Sequence, residues 1–336
     1  MHRKFAKLFL KILVLIQLTS CGTYVVKNSK GLPLADLREL PAHWHKSPEE
    51  LAKDEGLQRA QRFANHGVMY SIAALDVYDK PRSEKEPIQF PSTENWEPIL
   101  HEEGIQNSIG FAGRAWLRTK SNGKQELVVA YRGTQFSEAN DWLLGNLVPV
   151  SGALRRNQYD AALEYALSSI QVCGKETNVV FTGHSLGGGL AEYAHKFVKN
   201  SRAVTFDTSP NQGRIYSLFK SRQSKKTAVR IYEKGELLSF LRFIMSPDLC
   251  LEDSPEGSGV RAAWMDFYNS NPLAAHDMHD LCTSIVKVSA STGNREALSV
   301  IEQLEEQWEA VSLEPLRLPY NVHRKKLRES ILRRKY

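Results

Sequence analysis

The chain has 336 residues, 42% of them hydrophobic and 24% charged, with a formal net charge of +6 and four cysteines. That length suits one large α/β domain with appendages rather than two clear domains, and no internal repeat is visible. The positive balance excludes little by itself, but Arg3, Lys4, Lys7 and Lys11 lie in a segment expected to be removed, which takes +6 to +2. Nucleic acid is therefore not an expected partner.

Residues 1–20 read as a secretory signal. A basic start precedes an apolar run from Leu8 to Leu18, broken by Lys11 and Gln17 and too short to span a bilayer. Leu18-Thr19-Ser20-Cys21 then resembles a bacterial lipobox. That resemblance implies cleavage before Cys21 and a thioether-linked diacylglycerol on it. Gly22, rather than Asp, resembles the sorting pattern for outer-membrane delivery, so the expected place is the bacterial envelope, facing periplasm or surface. The alternative is an ordinary cleaved signal with Cys21 incidental. Residues 21–46, with Pro33 and Pro41, suit a tether.

The folded domain is expected over 47–311. Ser47-Pro48-Glu49-Glu50 is a helix start, and apolar spacing from Leu51 to Leu75 predicts a long helix. Residues 80–104 hold four prolines and read as irregular. Ile109 to Thr119 and Glu126 to Tyr131, flanking Asn122-Gly123, predict a β-hairpin. A helix is expected from Gln158 to Val172, strands at 202–206 and 227–232, and helices at 259–269, 277–290 and 293–311. Short apolar strands alternating with helices predict an α/β fold with a mostly parallel, doubly wound sheet. Residues 312–336 form a basic tail, with Arg324, Lys325, Lys326, Arg328, Arg333, Arg334 and Lys335 among apolar residues. It reads as a solvated, frayed terminal helix, with contact to an anionic membrane surface as the alternative. Cys173, Cys250 and Cys282 allow at most one disulfide, for which Cys250–Cys282 is the expected pairing, and no Cys-x-x-Cys suggests a zinc or redox site.

The chemistry concentrates at Val179-Val180-Phe181-Thr182-Gly183-His184-Ser185-Leu186-Gly187-Gly188-Gly189-Leu190-Ala191. An apolar strand, Gly-x-Ser-x-Gly and an apolar helix in direct succession make a nucleophile elbow, in which a serine on a strained turn presents its hydroxyl above a sheet. The N–H of Leu186, at the positive end of the new helix, is placed to bind an oxyanion. The chain has no Gly-x-x-x-x-Gly-Lys-Ser/Thr and no Gly-x-Gly-x-x-Gly, which argues against a phosphate loop.

A nucleophilic serine needs a base, and the base an acid to orient it. His184 adjoins the serine with a diverging side chain, and His195 lies about three turns along the helix. The candidates are His276 and His279, in Ala275-His276-Asp277-Met278-His279-Asp280, whose His-x-x-His spacing lacks the further ligands of a metal motif. The acid should follow a strand end. Glu236 fits best, Asp207 is the alternative, and Asp248 and Asp253 stand behind them.

These residues resemble a family. Gly183-His184-Ser185-Leu186-Gly187-Gly188, with Tyr131-Arg132-Gly133-Thr134 upstream and Asp141-Trp142 beyond, is similar to the class 3 lipase-like α/β hydrolases, and to their bacterial lipase-like and phospholipase A1-like branch. The resemblance covers roughly residues 105–285. It implies Thr134 as the second oxyanion donor, Asp141-Trp142 at the border of an acyl groove, and His276 over His279 because His276-Asp277-Met278 is similar to the family's His-Ser-Met. Glu236-Leu237-Leu238 stands where the family has an Asp, a departure. The expected function is a serine esterase acting on acyl lipids, with Ser185, His276 and Glu236 as triad and no cofactor or metal. The rivals are an acyltransferase or thioesterase on the same triad, a peptidase, and a non-catalytic lipid-binding lipoprotein.

Overall fold

Strands buried on both faces set the architecture. In a computed structural model, residues 55–78, 96–100, 105–106, 110–120, 122–133, 152–173, 177–209, 228–233, 236, 238–239, 242, 260–265 and 276–310 are described. In chain order these give α1 (Glu55–Asp76), β1 (Trp96–Pro98), β2 (Ile105–Gln106), β3 (Ala112–Thr119) and β4 (Gln125–Tyr131). Then come α2 (Gly152–Cys173), β5 (Asn178–His184), α3 (Leu186–Phe197), β6 (Ser201–Phe206), β7 (Ala228–Glu233), β8 (Val260–Met265), α4 (Met278–Ser291) and α5 (Arg295–Ala310). The sheet runs β1-β3-β4-β5-β6-β7-β8, with β2 also on β3. The hairpin side is antiparallel, and β4 through β8 are parallel.

Because side chains alternate along a strand, each strand feeds two cores. Val128, Ala130, Val180, Val204, Phe206 and Ile231 pack under α1, α4 and α5. Leu127, Val129, Tyr131, Val179 and Phe181 pack under α2 and α3 on the opposite face. The result is a doubly wound, mostly parallel sheet of the α/β-hydrolase kind, with every parallel strand ending on one edge. Buried charge ties β7 to α3. Arg230 on β7 donates from Nε and Nη2 to Glu192 of α3, both at 2.8 Å. Burial raises the Glu192 carboxyl, and the Arg230 charge and hydrogen bonds outweigh it, holding the group below its ordinary range.

The expected elements and the structure differ at three places. Residues 260–265 form a parallel edge strand, not part of a helix over 259–269. Ala262 and Ala263 carry little strand preference, and tertiary pairing with β7 overrides it. Arg59 of α1 donates to the Ala262 carbonyl at 2.9 Å, satisfying that edge acceptor. Trp96–Pro98 and Ile105–Gln106, on either side of residue 100 in or next to the proline-rich stretch, pair with β3. Cys282 is a free thiol and not half of a Cys250–Cys282 disulfide. It is wholly buried where α4 meets α1, with its Sγ 3.5 Å from Ser71 Oγ, and burial pushes the thiol up to about 12. Cys250 itself lies outside the described residues, as do Cys21, residues 47–54 of the long helix and the basic tail. Among the described residues, no helix is long and apolar enough to cross a membrane.

Candidate active site

β5 delivers Ser185 to the carboxyl edge of the sheet, where the chain must turn at once into α3. Ser185 pays for that turn with φ 56° and ψ −122°, a conformation that non-glycine residues rarely hold without a functional constraint. Its backbone is pinned on three sides: its N–H donates to Phe206 at 3.0 Å, and its carbonyl accepts from Ser209 at 3.0 Å and Gly189 at 3.2 Å. The glycines around it are steric necessities. A Cβ on Gly187 would overlap the Tyr131 carbonyl oxygen and lie 2.8 Å from Arg132 C, backbone that cannot yield. Gly187→Ala should therefore cost about 3 kcal/mol or more in a denaturant titration. At Gly123, where φ is 75° and nothing lies within 4 Å, the same change should cost only about 1 kcal/mol.

The turn after β4 presses against the serine. A Cβ on Gly133 would sit 2.6 Å from the His184 carbonyl oxygen and 3.3 Å from Ser185 Cβ. Tyr78, two residues past α1, braces this junction. Its hydroxyl accepts from the Gly133 N–H at 3.1 Å and lies 3.1 Å from His184 Nδ1. Thr134, Asp141 and Trp142 follow outside the described residues, as do Asp248 and Asp253. Leu186 is the first residue of α3, where a backbone N–H has no partner within the helix.

Beyond β7 and β8, at the same edge, an acid and a base meet. Glu236 Oε2 lies 2.6 Å from His276 Nδ1, with both side chains fully excluded from solvent. Glu236 is saturated with donors: the Leu238 N–H at 2.7 Å and Ser239 Oγ at 3.1 Å join His276, and Arg242 forms an ion pair with Oε1. Arg242 also donates to the Thr208 carbonyl at 2.7 Å and lies 4.2 Å over the Tyr232 ring. A buried charge pair so thoroughly hydrogen-bonded is rigid. The His276 ring lies tilted against that of His184, the residue before the serine, at 4.7 Å between centroids and 41° between planes. Thus His276, Glu236 and the serine turn share one site. His279 sits three residues further, on the first turn of α4, half-buried, with its N–H on Asp277 Oδ1 at 2.8 Å.

Asp207, the alternative acid, is also here. It follows β6 with φ 40°, is wholly buried, and accepts the Glu233 N–H on Oδ1 at 2.8 Å. Burial pushes its carboxyl up from 3.8 to about 7, only partly opposed by the Arg242 charge and the Glu233 N–H. Its folded-state proton is thus held more tightly than in the unfolded chain. The stabilisation is full below the ordinary carboxyl range and is lost as pH rises through about 7. Asp207→Asn should therefore gain stability over the parent between pH 5 and pH 8, by at most about 4 kcal/mol, read from paired urea midpoints.

Three residues of this site escaped the sequence reading. Arg242 had a signal, a lone cation inside Leu237-Leu238-Ser239-Phe240-Leu241-Arg242-Phe243-Ile244, where burial demands a counter-charge. Tyr78 had none, because its role comes from where α1 ends. The His184 side chain diverges from the serine, and that divergence brings its ring against His276. Together His184, Asp207 and His276 also bring one ligand atom each within 4.8 Å of one another, a donor set able to hold a metal ion.

Comparison with known proteins adds a family. The model of the phospholipase-like family described as the Tle-like phospholipase domain matches residues 70–248, just over half of the chain and including the elbow, Asp207 and Glu236. No curated protein matches. Among solved structures, lipase II from Rhizopus niveus is 17% identical, covering 64% of this chain and 83% of that one with a TM-score of 0.38. The LIP2 lipase of Yarrowia lipolytica is 16% identical over 53% and 72%, with a TM-score of 0.34. An esterase of Pyrobaculum calidifontis is 14% identical over 75% and 94%, with a TM-score of 0.32.

Proposed function

The chain belongs to the phospholipase-like family of Tle-like phospholipase domains, and from that premise we propose that it is a serine-dependent carboxylic ester hydrolase of acyl lipids. The observation that carries the reading is the buried Glu236–His276 contact of 2.6 Å beside a serine held at φ 56°. With Nδ1 donating to the carboxylate, His276 keeps the lone pair of Nε2 for the serine proton. Ser185 Oγ attacks the ester carbonyl as His276 takes its proton, and the tetrahedral oxyanion is held by the N–H groups of Leu186 and Thr134. Collapse breaks the ester bond, and the imidazolium gives its proton to the departing alcohol. Water, deprotonated by the same nitrogen, then cleaves the acyl-serine, and Ser185 regains its proton. Glu236 stays ionised throughout, held by Arg242, and stabilises the imidazolium. Each oxyanion donor is worth about 3 kcal/mol at the transition state.

Cys21, in its lipobox-like context, is the proposed anchor, placing the domain at the outer membrane within reach of bilayer substrate. The test is to incubate the mature protein and its Ser185→Ala variant with a mixed panel of phospholipids and glycerides and follow products by mass spectrometry. Free fatty acid with lysophospholipid, formed only by the parent, is expected. Products identical in both samples would refute the serine chemistry. Fatty-acyl transfer to added alcohols in preference to water would move the reading to an acyltransferase. Radiolabelled palmitate should mark the chain in cells and should not mark Cys21→Ser.

A further inference from the structure

Resting on that reading, we infer that His184, Asp207 and His276 form an inhibitory site for a borderline divalent cation such as Zn2+, which silences the enzyme by capturing its own base. Two strand ends and the entry to α4 supply the ligands: His184 closes β5, Asp207 follows β6, and His276 lies two residues before α4. All three are at least 99% buried, and one ligand atom from each lies within 4.8 Å of those of the other two. Bound atoms around a tetrahedral ion with bonds of about 2.0 Å sit about 3.3 Å apart, so closing the site asks for small side-chain rotations.

Each of the three residues already holds one polar atom in a contact of its own. His276 meets Glu236 through Nδ1, His184 meets Tyr78 through Nδ1, and Asp207 accepts the Glu233 N–H on Oδ1. Such outer contacts, a carboxylate behind a ligating imidazole above all, fix tautomer and ring orientation in metal centres. Asp207 is the independent pointer. Its Oδ2 is buried without a hydrogen-bond partner among the described residues, and the residue holds φ 40°, two costs that stability alone does not explain. Two imidazoles and one carboxylate suit Zn2+ and its neighbours and suit Mg2+ or Ca2+ poorly. The bound ion would occupy the His276 lone pair that the serine proton needs, with water or the Ser185 hydroxyl completing the coordination.

The test uses Zn2+ itself on the full mature protein. Titration calorimetry of the Ser185→Ala variant, which needs no activity, is expected to show one Zn2+ per chain. Asp207→Asn and His184→Gln should each weaken that binding at least tenfold. In the parent, micromolar Zn2+ should reduce ester hydrolysis more than tenfold and reversibly to chelator, with millimolar Mg2+ inert. Asp207→Asn should hydrolyse esters within about tenfold of the parent yet resist Zn2+. No saturable binding to Ser185→Ala, or inhibition equally strong in Asp207→Asn, would overturn the inference. Failure of the serine mechanism itself would show instead as unchanged hydrolysis in Ser185→Ala, whatever Zn2+ does. Should both ligand variants fail to fold, His276→Gln in the Ser185→Ala background carries the same binding test.

Discussion

Ser185→Ala is expected to lower kcat on a soluble ester by about 10^5 to 10^6-fold, leaving a residual rate from the oxyanion donors and from binding. Removing the nucleophile abolishes the acyl-enzyme route, so base and acid lose their purpose together and the losses do not add. The change should spare the fold. The serine's own hydroxyl makes no cap hydrogen bond at the start of α3, and the backbone contacts that pin the turn, to Phe206, Gly189 and Ser209, involve no side-chain atom of residue 185. Alanine inherits the strain at φ 56° and adds none. Steady-state kinetics with a chromogenic acyl ester, alongside a denaturant midpoint within 0.5 kcal/mol of the parent as a rough bound, checks both halves. A loss below about tenfold would mean that the hydroxyl is not the nucleophile.

Glu236→Gln is expected to cost about 10^4-fold in kcat and, unlike the serine change, to destabilise the protein. The amide removes the negative charge that stabilises the imidazolium and offers an N–H where His276 needs an acceptor. It also strands Arg242, whose ion pair with Glu236 is fully buried, and an uncompensated buried charge costs about 3–5 kcal/mol. Glu236→Asp keeps the charge and should recover much of the stability while leaving the carboxylate short of His276. Asp207→Asn supplies the contrast, since Asp207 takes no hydrogen bond from His276 among the described residues. Equal losses of activity in Glu236→Gln and Asp207→Asn would mean that the two carboxyls share the orienting role.

Much of this was legible in the residues. The parallel core strands announce themselves as short apolar runs, and the elbow is strong because three signals coincide: a strand, Gly-x-Ser-x-Gly and a helix in unbroken succession. The acid was narrowed by its place after a strand end and the base by the resemblance of His276-Asp277-Met278 to the family's motif, and the structure puts Glu236 and His276 in contact. What was not legible came from tertiary placement. β8 looks helical because alanine and methionine favour helices, and only its pairing with β7 makes it a strand. That missing strand matters to the site, since His276 follows β8 rather than β7. Tyr78 serves the site through packing from outside the motif, which no spacing encodes, and Arg242 shows in the sequence only as a cation within an apolar run. Asp207 illustrates the reverse: placement after a strand end nominated it, yet its hydrogen bond runs to the Glu233 backbone.

Fluorophosphonate labelling with peptide mapping puts the central claim to its most direct test. Only an activated serine reacts at a useful rate, so the adduct reports the action of a general base as well as the hydroxyl. A single adduct on the peptide containing Ser185, lost in His276→Ala and slowed in Glu236→Gln, is the predicted result. An inert folded protein, or an adduct on another serine, would contradict it.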